Sequence, residues 1–213
     1  MPVSPFHWER DFWNAGYALV AGVDEVGRGA LAGPLVAAAV IFDKAAIEKR
    51  SRRERIVATV KDSKLMTRQA RETTLTIIES SAAAIGIGMV ECHEIDALGM
   101  TAANRLVIER AVFGLELLPG ALLLDAFVTD LGMPQIGLID GDARCLSIAA
   151  ASIVAKVTRD RLMCSLHTQD SRYGFDQHVG YGTPDHLRAL AEYGPASFHR
   201  RSFRPVRECL NRP

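Results

Sequence analysis

Two apolar runs broken by Asp24-Glu25-Val26-Gly27-Arg28-Gly29 constrain this chain more than any other feature. Tyr17-Ala18-Leu19-Val20-Ala21-Gly22-Val23 precedes the hexapeptide, and Leu31 to Phe42 follows it. Such runs, bounded by glycine and proline, predict strands over 17–25 and 33–42, with Gly27 to Pro34 as the connection. Two adjacent carboxylates then stand at the end of a buried strand, beside an arginine held between glycines. A hard divalent cation such as Mg²⁺ takes oxygen ligands, few of them protein carboxylates, and leaves room for substrate phosphates. Glycines beside Arg28 let the backbone approach a ligand closely. The stretch points to metal-dependent chemistry on a phosphate-bearing substrate. Its alternative is a turn with two solvated acids. Strand neighbours point to opposite faces, so both acids share one site only if the strand ends or bulges there.

The remaining composition narrows the class. A length of 213 residues favours one domain, and 48% hydrophobic content is ample for a core. The expected division is a single catalytic domain over 1–213, with a core over about 17–165 and a C-terminal helical segment over about 166–213 that contributes to substrate binding. The net charge of zero requires any nucleic-acid contact to come from local patches. Cys92, Cys145, Cys164 and Cys209 form no C-x-x-C pair, which argues against structural zinc or a disulfide framework and for a reducing compartment. The N-terminus lacks the basic start and apolar stretch of a signal peptide. No apolar run is long enough to span a bilayer. A cytoplasmic location is expected.

Along the chain, 44–55 reads as a charged, exposed or helical segment, and a helix is predicted near 67–81 with Thr67 as N-cap. Residues 82–90 are a third strand, and 101–117 an amphipathic helix with Leu106, Val107, Phe113 and Leu117 on its apolar side. Leu122-Leu123-Leu124-Asp125 and Gln135-Ile136-Gly137-Leu138-Ile139 are short strands, and 146–165 is a long helix. Thr183-Pro184-Asp185 opens another helix. Strands first in sequence and then alternating with helices imply an α/β mixed sheet flanked by helices.

Asp125 closes an apolar strand, where open sheets place functional groups. Asp142 follows another strand, in Asp140-Gly141-Asp142-Ala143-Arg144. Each has a plain alternative as a cap or turn residue. Three strand-end acid clusters in so short a chain make joint coincidence much less probable than any single one.

These residues carry a close resemblance to ribonuclease HII, the bacterial type 2 ribonuclease H. Ala21-Gly22-Val23-Asp24-Glu25-Val26-Gly27-Arg28-Gly29 with Ala32-Gly33-Pro34 resembles that family's first signature. Lys61-Asp62-Ser63-Lys64-Leu65 resembles its Asp-Ser-Lys segment, and Ala149 to Asp160 its signature helix. Gly180-Tyr181-Gly182-Thr183 and His199-Arg200-Arg201-Ser202-Phe203 are similar to its C-terminal motifs. The resemblance implies a ribonuclease H-like fold, endonucleolytic hydrolysis of RNA paired with DNA, and incision at single ribonucleotides embedded in duplex DNA. It implies Asp24, Glu25, Asp125 and Asp142 as catalytic and metal-binding carboxylates for Mg²⁺ or Mn²⁺, two ions in the active complex. Gly27, Arg28 and Gly29 would contact the RNA–DNA junction, Tyr181 would pack on the adjoining sugar, and Lys64 would meet a phosphate. Nucleic acid is the implied partner, with replication or repair proteins beside it, and a monomer is expected. One departure stands out: Asp140 occupies the place of a family lysine.

The chemistry suits the residues. Two ions roughly 3.5–4 Å apart can activate a water and stabilise the leaving oxygen. The six histidines show no metal-ligand spacing; His178, His186 and His199 read as structural or phosphate-contacting. Positive charge for a duplex collects at Arg200, Arg201, Arg204 and Arg207 and around Lys61, Lys64 and Arg68, although the arginine tail reads equally as a solubility device. Tyr181, between two glycines, reads as a loop residue, with a core tyrosine as alternative. Two rivals remain: a ribonuclease HIII-like enzyme, expected to carry an N-terminal extension and a lysine at position 28, and a non-catalytic nucleic-acid-binding module of the same fold. A nucleotide-binding protein is disfavoured because neither G-x-x-x-x-G-K-[ST] nor G-x-G-x-x-G occurs.

Overall fold

The computed structural model describes residues 6–60 and 62–211. In chain order the elements are α1 (His7–Asn14), β1 (Val20–Val26), β2 (Leu35–Phe42), α2 (Lys44–Glu48), α3 (Arg50–Thr59), α4 (Arg68–Glu79), β3 (Ala82–Val90), α5 (Cys92–Leu98), α6 (Met100–Phe113), β4 (Ala121–Asp125), β5 (Gln135–Leu138), α7 (Gly141–Arg144), α8 (Leu146–Gln169), α9 (Phe175–His178), α10 (Pro184–Tyr193) and α11 (Arg204–Leu210). Short 3₁₀ turns lie at Ser63–Leu65 and Ser171–Tyr173. The sheet order is β3-β2-β1-β4-β5. β1 and β3 run antiparallel to β2, while β4 runs parallel to both β1 and β5. This is the expected mixed α/β sheet flanked by helices.

β2 is buried at every position, as a strand covered on both faces must be. Its Val36, Ala38 and Val40 join the core layer under α8, and Ala37, Ala39 and Ile41 join the layer under α6. α8 approaches so closely that a Cβ on Gly22 would lie 2.1 Å from the Ser147 carbonyl carbon. The small side chains from Ser147 to Ala155 therefore form a flat, buried surface against the central strands. Thr67 and Thr183 cap α4 and α10 as predicted, accepting from Ala70 N and His186 N.

The predicted 101–117 helix needs correction. α6 stops at Phe113, and Phe113 and Leu117 are exposed, while Ala103, Val107 and Ala111 make its inner face. α1 and α5 were not legible as helices. α1 supplies Glu9, whose buried carboxylate accepts from Ser147 N at 3.0 Å and Ser147 Oγ at 2.6 Å. It caps the first turn of α8 from another element, since Cys145 at the N-cap makes no side-chain cap.

Candidate active site

β1 does not end at the acids. Its pairing with β2 runs on to Val26↔Val36, whereas its pairing with β4 stops at Val23↔Leu124. Beyond that pair the two parallel strands part, with Asp24 and Asp125 level at their carboxyl ends. The expectation of a strand end or bulge at Asp24-Glu25 is thus corrected, because alternation persists through both residues. Asp24 lies on the α8 side of the sheet, beside Ser152, and Glu25 lies on the α6 side, beside Asn104. Both still line one cavity of about 540 Å³, together with Asp125, Ser63, Lys64, Arg71, Lys156 and Tyr181.

The cavity sets three carboxylates close together, with Lys64, Arg71 and Lys156 on its wall. Burial raises the Asp24 carboxyl to about 7, helped by Glu25 and Asp125. Burial also raises Glu25, opposed by Arg28, whose Nη1 lies 3.5 Å from Glu25 Oε1. Asp125 is raised by burial, opposed by the Gly141 N–H donated to its Oδ1 at 2.8 Å. Asp142, buried in the first turn of α7, pairs with Lys64 Nζ at 3.0 Å. Lys64 therefore meets an acid of the site, and its predicted phosphate contact would require it to swing away. Asp140 is exposed, in left-handed backbone at φ 53°. Ser63 Oγ lies 2.9 Å from Ser152 Oγ, tying the Asp-Ser-Lys turn to α8. Lys61 lies outside the described residues.

Among the described residues no three His, Cys, Asp or Glu side chains already converge as a metal cage. The donor set nevertheless suits a hard cation. It is all carboxylate oxygen, and burial with the neighbouring acids raises the Asp24 carboxyl to about 7, a penalty that a bound cation would relieve.

Two buried arginines hold the Gly-Arg-Gly loop and the Ala32-Gly33-Pro34 segment that follows it. Arg200 donates from Nη1 to Gly27 O at 2.7 Å and Arg28 O at 3.1 Å, and from Nη2 to Gly33 O at 2.8 Å. Arg159 donates to Pro34 O at 2.9 Å, Ala32 O at 3.0 Å and Val179 O at 2.8 Å. Arg200 is fully buried, so its assignment to the duplex backbone is corrected: its fork is consumed by carbonyls of the loop. Burial, with Arg159 nearby, lowers its pKa to about 10. Gly27 has φ +98°, and a Cβ there would lie 2.3 Å from Arg159 Nε. Gly29 faces open space, and the Arg28 guanidinium lies over Phe127 at 4.7 Å. Neither clamping arginine was legible as such, since a basic residue in a motif looks the same whether it faces solvent or carbonyls. Tyr181 sits in the α9–α10 loop, half-buried at the cavity wall. His178, His186 and His199 are buried, which settles them as structural groups.

A family model described as Ribonuclease HII matches residues 21–206, a span holding every predicted site residue. A ribonuclease HII from Chloroflexus aurantiacus is 48% identical over 95% of this chain and 94% of its own. The chain belongs to the ribonuclease HII family. The crystal structure of ribonuclease H2 from Pyrococcus horikoshii superposes with TM-score 0.75 at 29% identity, covering 90% of this chain and 96% of that one. A Bst ribonuclease HIII solved with Mn²⁺ shares the fold at TM-score 0.66 and 20% identity, with 91% and 70% covered. Family membership settles the rivalry with ribonuclease HIII in favour of HII.

Proposed function

We propose that this chain hydrolyses the RNA strand of RNA–DNA hybrids at a site where Asp24, Glu25, Asp125 and Asp142 hold divalent ions, Mg²⁺ or Mn²⁺. The observation that carries the assignment of the site is the level pair Asp24, buried, and Asp125, half-buried, at the parting of two parallel strands and open to one cavity. When bound, such ions neutralise the developing charge on the attacking water and the leaving oxygen. The chain's own groups orient the acids: the Glu25 N–H donates to Asp24 Oδ1 at 2.8 Å, and the Gly141 N–H donates to Asp125 Oδ1 at 2.8 Å. Lys64 balances Asp142 until a phosphate arrives.

Incision at a single ribonucleotide in duplex DNA is part of the proposal. RNA is told from DNA by its 2′-hydroxyl. The carbonyl-clamped Gly27-Arg28-Gly29 loop presents backbone beside the acids, and Tyr181 faces the same cavity to lie on the adjoining sugar. All four cysteines are free, which suits a reducing compartment, and a cytoplasmic monomer working beside replication or repair proteins completes the reading. The test is cleavage of a labelled DNA duplex holding one ribonucleotide, and of a continuous hybrid, with and without Mg²⁺ or Mn²⁺. Metal-dependent cuts at the ribonucleotide support it, and ion-independent or absent cleavage overturns it.

A further inference from the structure

The backbone of Tyr181, bonded to His178 O and Thr183 N, is also reached by a chain of buried imidazoles. Ala196 N–H donates to His199 Nδ1 at 3.0 Å, so the His199 hydrogen is on Nε2. That atom lies 3.1 Å from His186 Nε2, which must then accept, leaving the His186 hydrogen on Nδ1. His186 Nδ1 lies 3.0 Å from Tyr181 O. In parallel, Gly180 N–H donates to His178 Nδ1 at 3.3 Å, and His178 Nε2 lies 2.7 Å from Tyr173 O. A single set of neutral tautomers satisfies every contact. The His178 and His186 rings stack at 4.6 Å, and Tyr173, Phe175 and Phe198 enclose the cluster. Burial, with His186 facing it, lowers the His199 ring to about 4, and burial lowers His186, so the chain stays intact at neutral pH. It also meets the other substrate loop. Leu31 N donates to Gly180 O at 2.8 Å, and Arg200 N donates to Leu31 O at 2.9 Å.

We propose that His199, acting through His186, together with His178, are positioning residues that set Tyr181 against the substrate sugar and lock its segment to the Gly27–Gly29 loop. The inference rests on the reading of Tyr181 as the sugar contact and adds the groups that aim it. A plain core cluster would add stability without coupling to Tyr181. A misplacement of about 1 Å can cost roughly a hundredfold in rate.

The experiment is a double-mutant cycle on rate, with single-ribonucleotide duplex and continuous hybrid at fixed Mg²⁺. His186→Leu removes the side-chain donor to Tyr181 O and leaves only the Thr183 N–H at 2.8 Å, and His186→Asn keeps an N–H where Nδ1 stood. We expect His186→Leu to slow incision at the single ribonucleotide by roughly tenfold or more, in kcat, with a smaller effect on the hybrid. His186→Asn should recover most of it. Tyr181→Ala with His186→Leu should fall no further than Tyr181→Ala alone. Additive losses in the double variant, or His186→Asn as damaged as His186→Leu, would overturn the relay. Tyr181→Ala that leaves the substrate ratio unchanged would instead overturn junction reading by Tyr181, and the coupling is then read in the hybrid rate. If His186→Leu does not fold, ring-nitrogen NMR shifts of the wild type decide: Nε2–H on His199 with Nδ1–H on His186 supports the relay, and any other pair of states overturns it.

Discussion

Asp24 bears the largest electrostatic burden of any residue at the site. Its carboxyl is buried and raised to about 7, with Glu25 and Asp125 adding to the shift. Asp24→Asn keeps the shape and removes the charge, so it should abolish metal-dependent cleavage, by more than about a hundredfold, and raise the melting temperature of the ion-free protein. Asp125→Asn should be equally inactive. Activity and melting measured on the same preparations check this pair, and an active Asp125→Asn would remove that residue from the catalytic set. Asp140 and Asp142 separate on exposure. Asp142 is buried and paired with Lys64, while Asp140 stands outside in left-handed backbone, so the two do not share an extended face. Asp142→Asn should therefore cripple the enzyme, and both Asp140→Asn and Asp140→Lys should stay within a few-fold of wild type. The reverse order of damage would show the acids to be misassigned.

At the scale of elements, two buried groups join segments that are distant in sequence. Glu9 of α1 caps α8 through Ser147, across 138 residues. Glu9→Ala strips that acceptor from buried donors and should cost about 2 kcal/mol or more, read by denaturant unfolding, without shifting the ratio of rates on the two substrates. Arg200 does the same for the Gly-Arg-Gly loop. Lysine cannot reproduce its planar fork, so Arg200→Lys should destabilise by about 2–3 kcal/mol and slow cleavage, even at temperatures where the variant is fully folded. A variant with wild-type stability and rate would mean that the loop holds itself.

The whole molecule links protons, ions and stability. Asp24 binds its proton in the fold up to about pH 7, against 3.8 for an ordinary aspartate. The folded state thus binds more protons than the unfolded state across that window, and stability falls as pH rises through it. Above pH 7 the penalty is complete, at most about 4 kcal/mol. Glu25 and Asp125, both raised, act in the same direction. His186 and His199 are lowered and act oppositely below the ordinary histidine range, so the clean quantity is the melting difference between Asp24→Asn and wild type. That difference should grow from pH 5 to pH 7.5 in chelator. Mn²⁺ or Mg²⁺ competes with protons for the same oxygens, so its stabilising effect on the wild type should be larger at pH 8 than at pH 5.5. A difference that shrinks as pH rises would refute the assignment of the raised carboxyl.

The succession of strands and helices along the chain and the caps of α4 and α10 were legible in the sequence because local rules decide them. Continuous apolar runs make buried strands, Thr before a helical pattern makes a cap, and an acid closing such a strand has few plain reasons to be there. Other features were not legible, because they depend on pairings between residues far apart in the chain. Asp24 and Glu25 alternate across the sheet as a strand requires, and only the parting of β1 from β4 after Val23↔Leu124 opens one cavity to both. Phe113 and Leu117 are apolar and exposed, because α6 turns Val107 and Ala111 inward against β3 and β2 and ends at Gly114. Arg200 and Arg159 carry the same charge as the surface arginines, and only the tertiary fold supplies the carbonyls that make them internal clamps. Local propensity and patterning determine which elements form; the long-range register of those elements decides which polar groups are buried together, and that is where the chemistry of the site resides.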